Sequence, residues 1–331
     1  MKAIKVKLQD AEKVKKELIF AKILDRNYSA KKGDDCVFFP VTKKFKNYSL
    51  YDIKLKENIF KLGLKKLLSK DLSSKELRLL KTAYDIIGEV AILEIPLELR
   101  KKEKVIAKKI LELNKSVRTV LRKEGGHEGE FRLQKSVFLA GKRNRETTHL
   151  ESRCRFNLNV DKVYFSPRLV TERMRVAKSV KKGEKVLVMF SGCGIYPVMI
   201  SKNSLAEKIV GVEVNKVACN YAKKNLKLNK VDNVEIICGD VRKILPKLKD
   251  KFDRVIMPLP KDADKFLDLI PLVCNEGCLV QMYAFDTVLA PESWKKVRKA
   301  FKKVKKVDSV KCCQVGPRKY RVCLDFIVNK F

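Results

Sequence analysis

Apolar residues fall into two rhythms along this chain, and the rhythm changes near Lys162. Before that point short alternating runs dominate. MKAIKVKL alternates as a strand, residues 11–24 have helical spacing, and Cys36–Pro40 forms a further short strand. A stretch rich in lysine and leucine, 62–70, links or caps this first group. Residues 86–95 then alternate around Gly88, and Pro96 opens a helix that continues through Lys109. Further strands are expected at 117–121, 131–133, 147–150 and Cys154–Asn159, with a flexible turn where Gly125, Gly126 and Gly129 surround His127.

Beyond Lys162 strands and helices alternate. A helix over 171–180 ends at Gly183; strands follow at 186–190, 208–214, 234–240, 252–257 and 278–284. Helices are expected near 196–203, 216–228, 242–248, 262–270 and 291–303, and a final pair of strands, 307–315 and 320–329, is separated by Gly316 and Pro317. This order predicts an α/β fold: a doubly wound sheet ending in an antiparallel hairpin, preceded by two smaller α+β modules. The expected divisions are 1–75, 84–160 and 161–331. In such a sheet the ligand lies beyond the carboxyl ends of the strands.

Composition adds a partner. The 331 residues are 45% hydrophobic, enough for a substantial core without disulfides or metal. Lysine and arginine number 75 against 39 acidic residues, a formal charge of +36, and such a field concentrates polyanions, nucleic acid first. Ten cysteines include no CxxC pair and only two histidines accompany them, so neither a zinc site nor an iron–sulfur cluster is expected. Scattered thiols of this kind suit a reducing cytosol. No apolar stretch has the length of a signal peptide or a membrane span, which points to a cytoplasmic protein.

Candidate chemistry gathers at strand ends. The 186–190 strand runs through Phe190 into Gly192 and Gly194, glycines that let the backbone turn tightly and approach a ligand; Tyr196 follows them. Glu213 closes the second strand, where a carboxylate can accept both hydroxyls of a ribose, and Asp240 closes the third, where it faces either the adenine amine or the adjoining backbone. A nicotinamide fingerprint wants a third glycine where Pro197 stands, and no GxxxxGK[ST] string occurs. S-adenosyl-L-methionine is therefore the expected cofactor. The fourth strand ends in Met257-Pro258-Leu259-Pro260, where substrate should meet cofactor, without the polar residue that many amino methyltransferases carry there. Upstream, YFSPRLVTER concentrates polar groups: Arg168 or Arg173 to hold phosphate, Tyr164 to brace an extruded base, Glu172 to take a proton. Glu172 and Arg173 equally suit the start of an ordinary amphipathic helix.

The strings EFR at 130–132, YFSPRLVTER at 164–173, SGCGIYP at 191–197, GVEVN at 211–215 and MPLPK at 257–261 resemble the archaeal and eukaryotic tRNA guanine-37 N1-methyltransferases. The resemblance implies a class I methyltransferase domain, a small N-terminal module touching the outer tRNA body and a middle module near the anticodon arm. It makes Glu172 the general base at guanine N1 and places Arg132 near O6. Tyr164, Arg168 and Arg173 fall in the family's substrate-positioning cluster, with Pro258, Leu259 and Pro260 at the loop where some relatives have asparagine in place of Pro258. Gly192 and Glu213 match cofactor positions. A monomer without an obligate protein partner is implied. The related aminocarboxypropyl transferases of the wybutosine pathway, methylation of a wybutosine-type precursor, and a tRNA-binding protein without catalysis are the alternative readings.

Overall fold

A computed structural model describes residues 1–57 and 63–330; Leu62 and Phe331, which end two of the expected segments, lie outside the described residues. The chain forms two compact units, one of Met1–Tyr84, Leu93–Val120 and Leu139–Gly141, the other of Asp85–Ile92, Leu121–Phe138 and Lys142–Phe331.

In the first unit, β1 (Lys2–Lys7), β2 (Lys31–Lys32), β3 (Cys36–Pro40) and β4 (Leu50–Asp52) make a sheet in the order β2-β3-β1-β4, covered by α1 (Ala11–Phe20). Val14 and Leu18, four residues apart, place their side chains on one helix face and meet Ile4, Val6 and Phe39. The helix stops at Phe20 instead of continuing to 24. Lys22 turns left-handed (φ +56), which carries Ile23 into the core and lets Leu24 bridge to Val41. Two short helices follow, α2 (Leu64–Leu67) and α3 (Ser74–Leu79). Ser73 and Glu76 form a reciprocal cap on α3, and α4 (Glu103–Leu113) buries Ile106, Ala107 and Ile110.

The strands β5 (Tyr84–Ile87), β6 (Val90–Leu93), β7 (Thr119–Glu128) and β8 (Leu133–Gly141) pair in that order, and most of their length belongs to the second unit. Here the structure departs from the expectation. β7 runs on through Gly125 and Gly126, and reversal falls at Gly129 (φ +68), so Phe131 and Arg132 belong to the turn and only Leu133 of the expected 131–133 strand is extended, as the first residue of β8. A hairpin of β9 (Glu146–Glu151) and β10 (Cys154–Asn159) leads to α5 (Val170–Ser179).

The large sheet contains β11 (Lys185–Met189), β12 (Lys208–Glu213), β13 (Val234–Cys238), β14 (Phe252–Met257), β15 (Cys274–Asp286), β16 (Lys303–Gly316) and β17 (Lys319–Lys330), in the order β13-β12-β11-β14-β15-β17-β16. The first five strands are parallel neighbours and the last two antiparallel, as the α/β pattern predicts. Its helices include α6 (Ile195–Asn203), α7 (Lys216–Asn229), α8 (Val241–Ile244), α9 (Ile270–Val273) and α10 (Pro291–Ala300). Both faces are buried, which explains the continuous apolar runs: Leu187, Met189, Val210 and Val212 join one core, Val186, Val188, Ile209 and Ile256 the other. The strand order reverses between β11 and β14, opening a crevice at their carboxyl ends.

Candidate cofactor and substrate site

Two cavities of the second unit share one wall. The smaller, about 150 Å³, is lined by Phe190, Gly192, Glu213, Asp240, Pro258, Leu259, Pro260 and Phe266, and closed by Phe131, Arg132, Val163 and Tyr164. The larger, about 310 Å³, is lined by Asp85, Lys123, Arg168, Phe285 and Arg321, and again by Arg132, Val163 and Tyr164. Arg132 and Tyr164 thus face both spaces.

Glu213 is held in place by backbone. One carboxylate oxygen accepts the Gly192 N–H and the other the Asn215 N–H, both at 2.8 Å, which leaves a further acceptor position on each. Burial pushes this carboxyl above its usual range, although the amides of Asn215, Gly192 and Val214 pull the other way. Gly192 sits at φ +57, with open space where a Cβ would project, so its glycine answers the backbone turn. Phe190 packs edge-on against Phe266 with centroids 4.9 Å apart, forming an apolar wall. Asp240 caps α8 by accepting the Arg242 N–H at 2.9 Å. These residues fit an adenosyl group: a fixed two-oxygen acceptor for the ribose diol and apolar faces for the purine.

Gly194 and Tyr196 do not join that lining. Gly194 (φ +80) begins α6, where a Cβ would approach Ala222 Cβ at 3.1 Å, so its role is helix packing. Tyr196 is buried on the opposite face, where it donates to the Tyr283 hydroxyl at 2.8 Å. Helical geometry turns it away from the crevice.

The YFSPRLVTER cluster is divided in the same manner. Tyr164 lines both cavities, and Arg168 lines the larger one while donating Nε–H to Asp85 at 2.7 Å. Burial raises the Asp85 carboxyl, but hydrogen bonds from Arg168 and Lys123 outweigh it and hold the group below its ordinary value. Arg173 is a correction to the expected phosphate contact. It is buried in a two-pronged pair with Glu151 (2.7 and 2.5 Å) and donates to the Ser166 carbonyl at 3.1 Å, fixing the loop from within.

Glu172 likewise lies outside both linings. Its two oxygens take Arg175 at 2.8 Å each, and Tyr283 donates to it at 2.7 Å. Arg175 also binds Asp325 at 2.8 Å, and these carboxylates raise its pKa despite burial. The i, i+3 spacing of Glu172 and Arg175 on α5 makes the pair nearly unavoidable.

Some lining residues carried no sequence signal. Phe266 follows no motif, and Phe285 and Arg321 meet only because β15 and β17 pair them directly across the sheet. Asn215 also lines the smaller cavity, and its place beside Glu213 in GVEVN is the signal that could have found it.

A family model described as the TRM5/TYW2 methyltransferase domain matches residues 147–314. A TYW2 N-terminal domain matches 64–144, and a tRNA methyltransferase 5 N-terminal domain matches 3–49. The chain is 36% identical over 333 residues to the tRNA (guanine(37)-N(1))-methyltransferase Trm5b of Pyrococcus abyssi, covering 99% of each. It resembles the solved complex of aTrm5 with tRNALeu (TM-score 0.80, 29% identity, 99% of both chains). Methanocaldococcus jannaschii Trm5 in complex with adenosine is also similar, with TM-score 0.70, 28% identity and 100% of both chains covered.

Proposed function

The chain belongs to the TRM5/TYW2 methyltransferase family, and from that premise we propose that it methylates N1 of guanosine 37 in tRNA. It is an S-adenosylmethionine-dependent tRNA methyltransferase. The name of the Pyrococcus abyssi relative supports the finer reading. So does one feature of the site: Arg132 and Tyr164 stand on the wall between the recess that holds Glu213 and a larger cavity rimmed by Arg168, Lys123 and Arg321.

S-adenosylmethionine supplies an electrophilic methyl group when bound. Glu213 would hold its ribose, Phe190 and Phe266 its purine. Guanine N1 carries a proton, so its lone pair becomes available only as that proton leaves, and charge then spreads onto O6. Arg132 would stabilise that oxygen as a fixed cation. Tyr164 would brace the base, and Arg168 would meet phosphate. Glu172 would receive the proton in this reading, and because it stands behind Arg175 and Tyr283, transfer to it requires the Tyr283 hydroxyl as a relay or a shift of Arg175.

In this reading residues 1–75 contact the outer tRNA body, 84–160 the anticodon arm, and 161–331 perform transfer; the matches at 3–49, 64–144 and 147–314 accord with a chain of three parts. A cytoplasmic site of action accompanies this reading; among the described residues no helix is long and apolar enough to cross a membrane.

The match of residues 64–144 to a TYW2 N-terminal domain favours a second reading, transfer of an aminocarboxypropyl group or methylation of a wybutosine-type precursor. Both are tested together. Purified protein is incubated with labelled S-adenosylmethionine and tRNA transcripts carrying guanosine or adenosine at position 37, and the digested product is weighed. A methylguanosine from the guanosine transcript alone is expected; an aminocarboxypropyl product or no product would overturn the first reading.

A further inference from the structure

We propose that Arg321 reads the target base, donating its Nε–H to guanine N7 and replacing the side-chain donor that Pro258 lacks. This rests on the proposed guanosine substrate. Arg321 lines the larger cavity yet is only 7% exposed, and its Nε has no hydrogen-bond partner among the described residues. Its other arm is fixed, with one terminal nitrogen donating to the Tyr164 hydroxyl at 2.7 Å.

The guanidinium is further oriented by its strand. Arg321 stands opposite Phe285 in the β15–β17 register, and its centre lies 5.5 Å from the Phe285 ring. The Arg132 guanidinium rests 5.8 Å from that same ring. One phenyl group therefore carries two cations at the cavity assigned to the base.

A buried, unpartnered N–H on a side chain that lines a cavity calls for an acceptor, and the ligand is the candidate to supply it. Guanine alone among the bases presents two adjacent acceptors, N7 and O6, on one edge, and arginine is their commonest partner. With Arg132 at O6, Arg321 takes N7. Adenine would present its amine to Arg132 and be refused; a pyrimidine has no N7. Proline at 258 offers neither N–H nor side-chain donor, so recognition has moved to β17.

The test compares single-turnover methylation of tRNA bearing guanosine or 7-deazaguanosine at position 37, the latter having C–H in place of N7. For the unaltered protein the 7-deaza substrate should react about tenfold more slowly. Arg321→Met should slow the guanosine reaction and bring the two substrates to equal rates. Tyr164→Phe, which spares the arginine, should retain the discrimination. Equal rates with the unaltered protein would overturn the assignment without any variant having to fold, as would undiminished discrimination in Arg321→Met. If neither tRNA were methylated, the proposed function itself would fall, and the N7 contact with it.

Discussion

Tyr283 donates its hydroxyl to Glu172 at 2.7 Å across 111 residues of sequence, and Tyr196 donates to Tyr283 in turn at 2.8 Å. The side chain expected to act as base is therefore the end of a buried hydroxyl chain and the partner of Arg175.

Glu172→Gln removes one side of a part-buried ion pair whose Arg175 keeps Asp325, and should destabilise the fold by about 1–2 kcal/mol. Tyr283→Phe deletes one hydrogen bond and should destabilise it by about 1 kcal/mol. Urea denaturation measures both. If the proton passes through Tyr283, each variant should also lower the single-turnover rate by at least about tenfold, with cofactor affinity nearly unchanged. A normal rate for Glu172→Gln would refute its role as proton acceptor.

Glu213→Ala should weaken S-adenosylmethionine binding on the order of 10- to 100-fold, since a charged acceptor for two hydroxyls disappears. Calorimetric titration checks this. Burial raises the Glu213 pKa, so its protonation begins at a higher pH than for an ordinary glutamate. Cofactor affinity should be full above the raised pKa and decline as pH falls through it. The uncomplexed fold shows the opposite sign: burying this charge destabilises it above the raised value and the penalty is relieved at lower pH. Glu213→Gln should flatten the pH dependence of affinity.

Asp85→Asn should destabilise the protein by about 1 kcal/mol near neutral pH through loss of the Arg168 and Lys123 contacts. Asp85 is held below its ordinary pKa, so that stabilisation is present above the unfolded value and lost as pH falls through the folded one. Denaturation midpoints of the two proteins should converge in acid. The same substitution frees Arg168 to reorient and should raise the KM for tRNA more than it lowers kcat.

Gly194→Ala should be more disruptive than Gly192→Ala. Both glycines have positive φ, a strain of about 1–2 kcal/mol for alanine, but only the Gly194 methyl would press on Ala222. Thermal denaturation should rank them in that order. Gly192→Ala should mainly reduce cofactor affinity, because the turn it disturbs presents an amide to Glu213.

The strand–helix alternation after Lys162 was legible because a sheet buried on both faces demands uninterrupted apolar runs, and the glycines and Glu213 sit at their ends by local geometry. Arg132, Tyr164 and Arg168 were legible through their motifs, and the structure brings all three to one cavity. Within YFSPRLVTER, however, the sequence could not separate residues facing the cavity from residues facing the core.

Sequence by itself determined the α/β order, the positive charge and the adenosyl recess, all set by short-range periodicity and by residues at strand ends. Tertiary structure alone decided that Glu172 turns inward to Tyr283 and Arg173 to Glu151, and that Arg321 comes opposite Phe285. Such choices depend on strand pairing and on which charges must be neutralised once buried, and the partners involved lie tens of residues apart along the chain or on a different element.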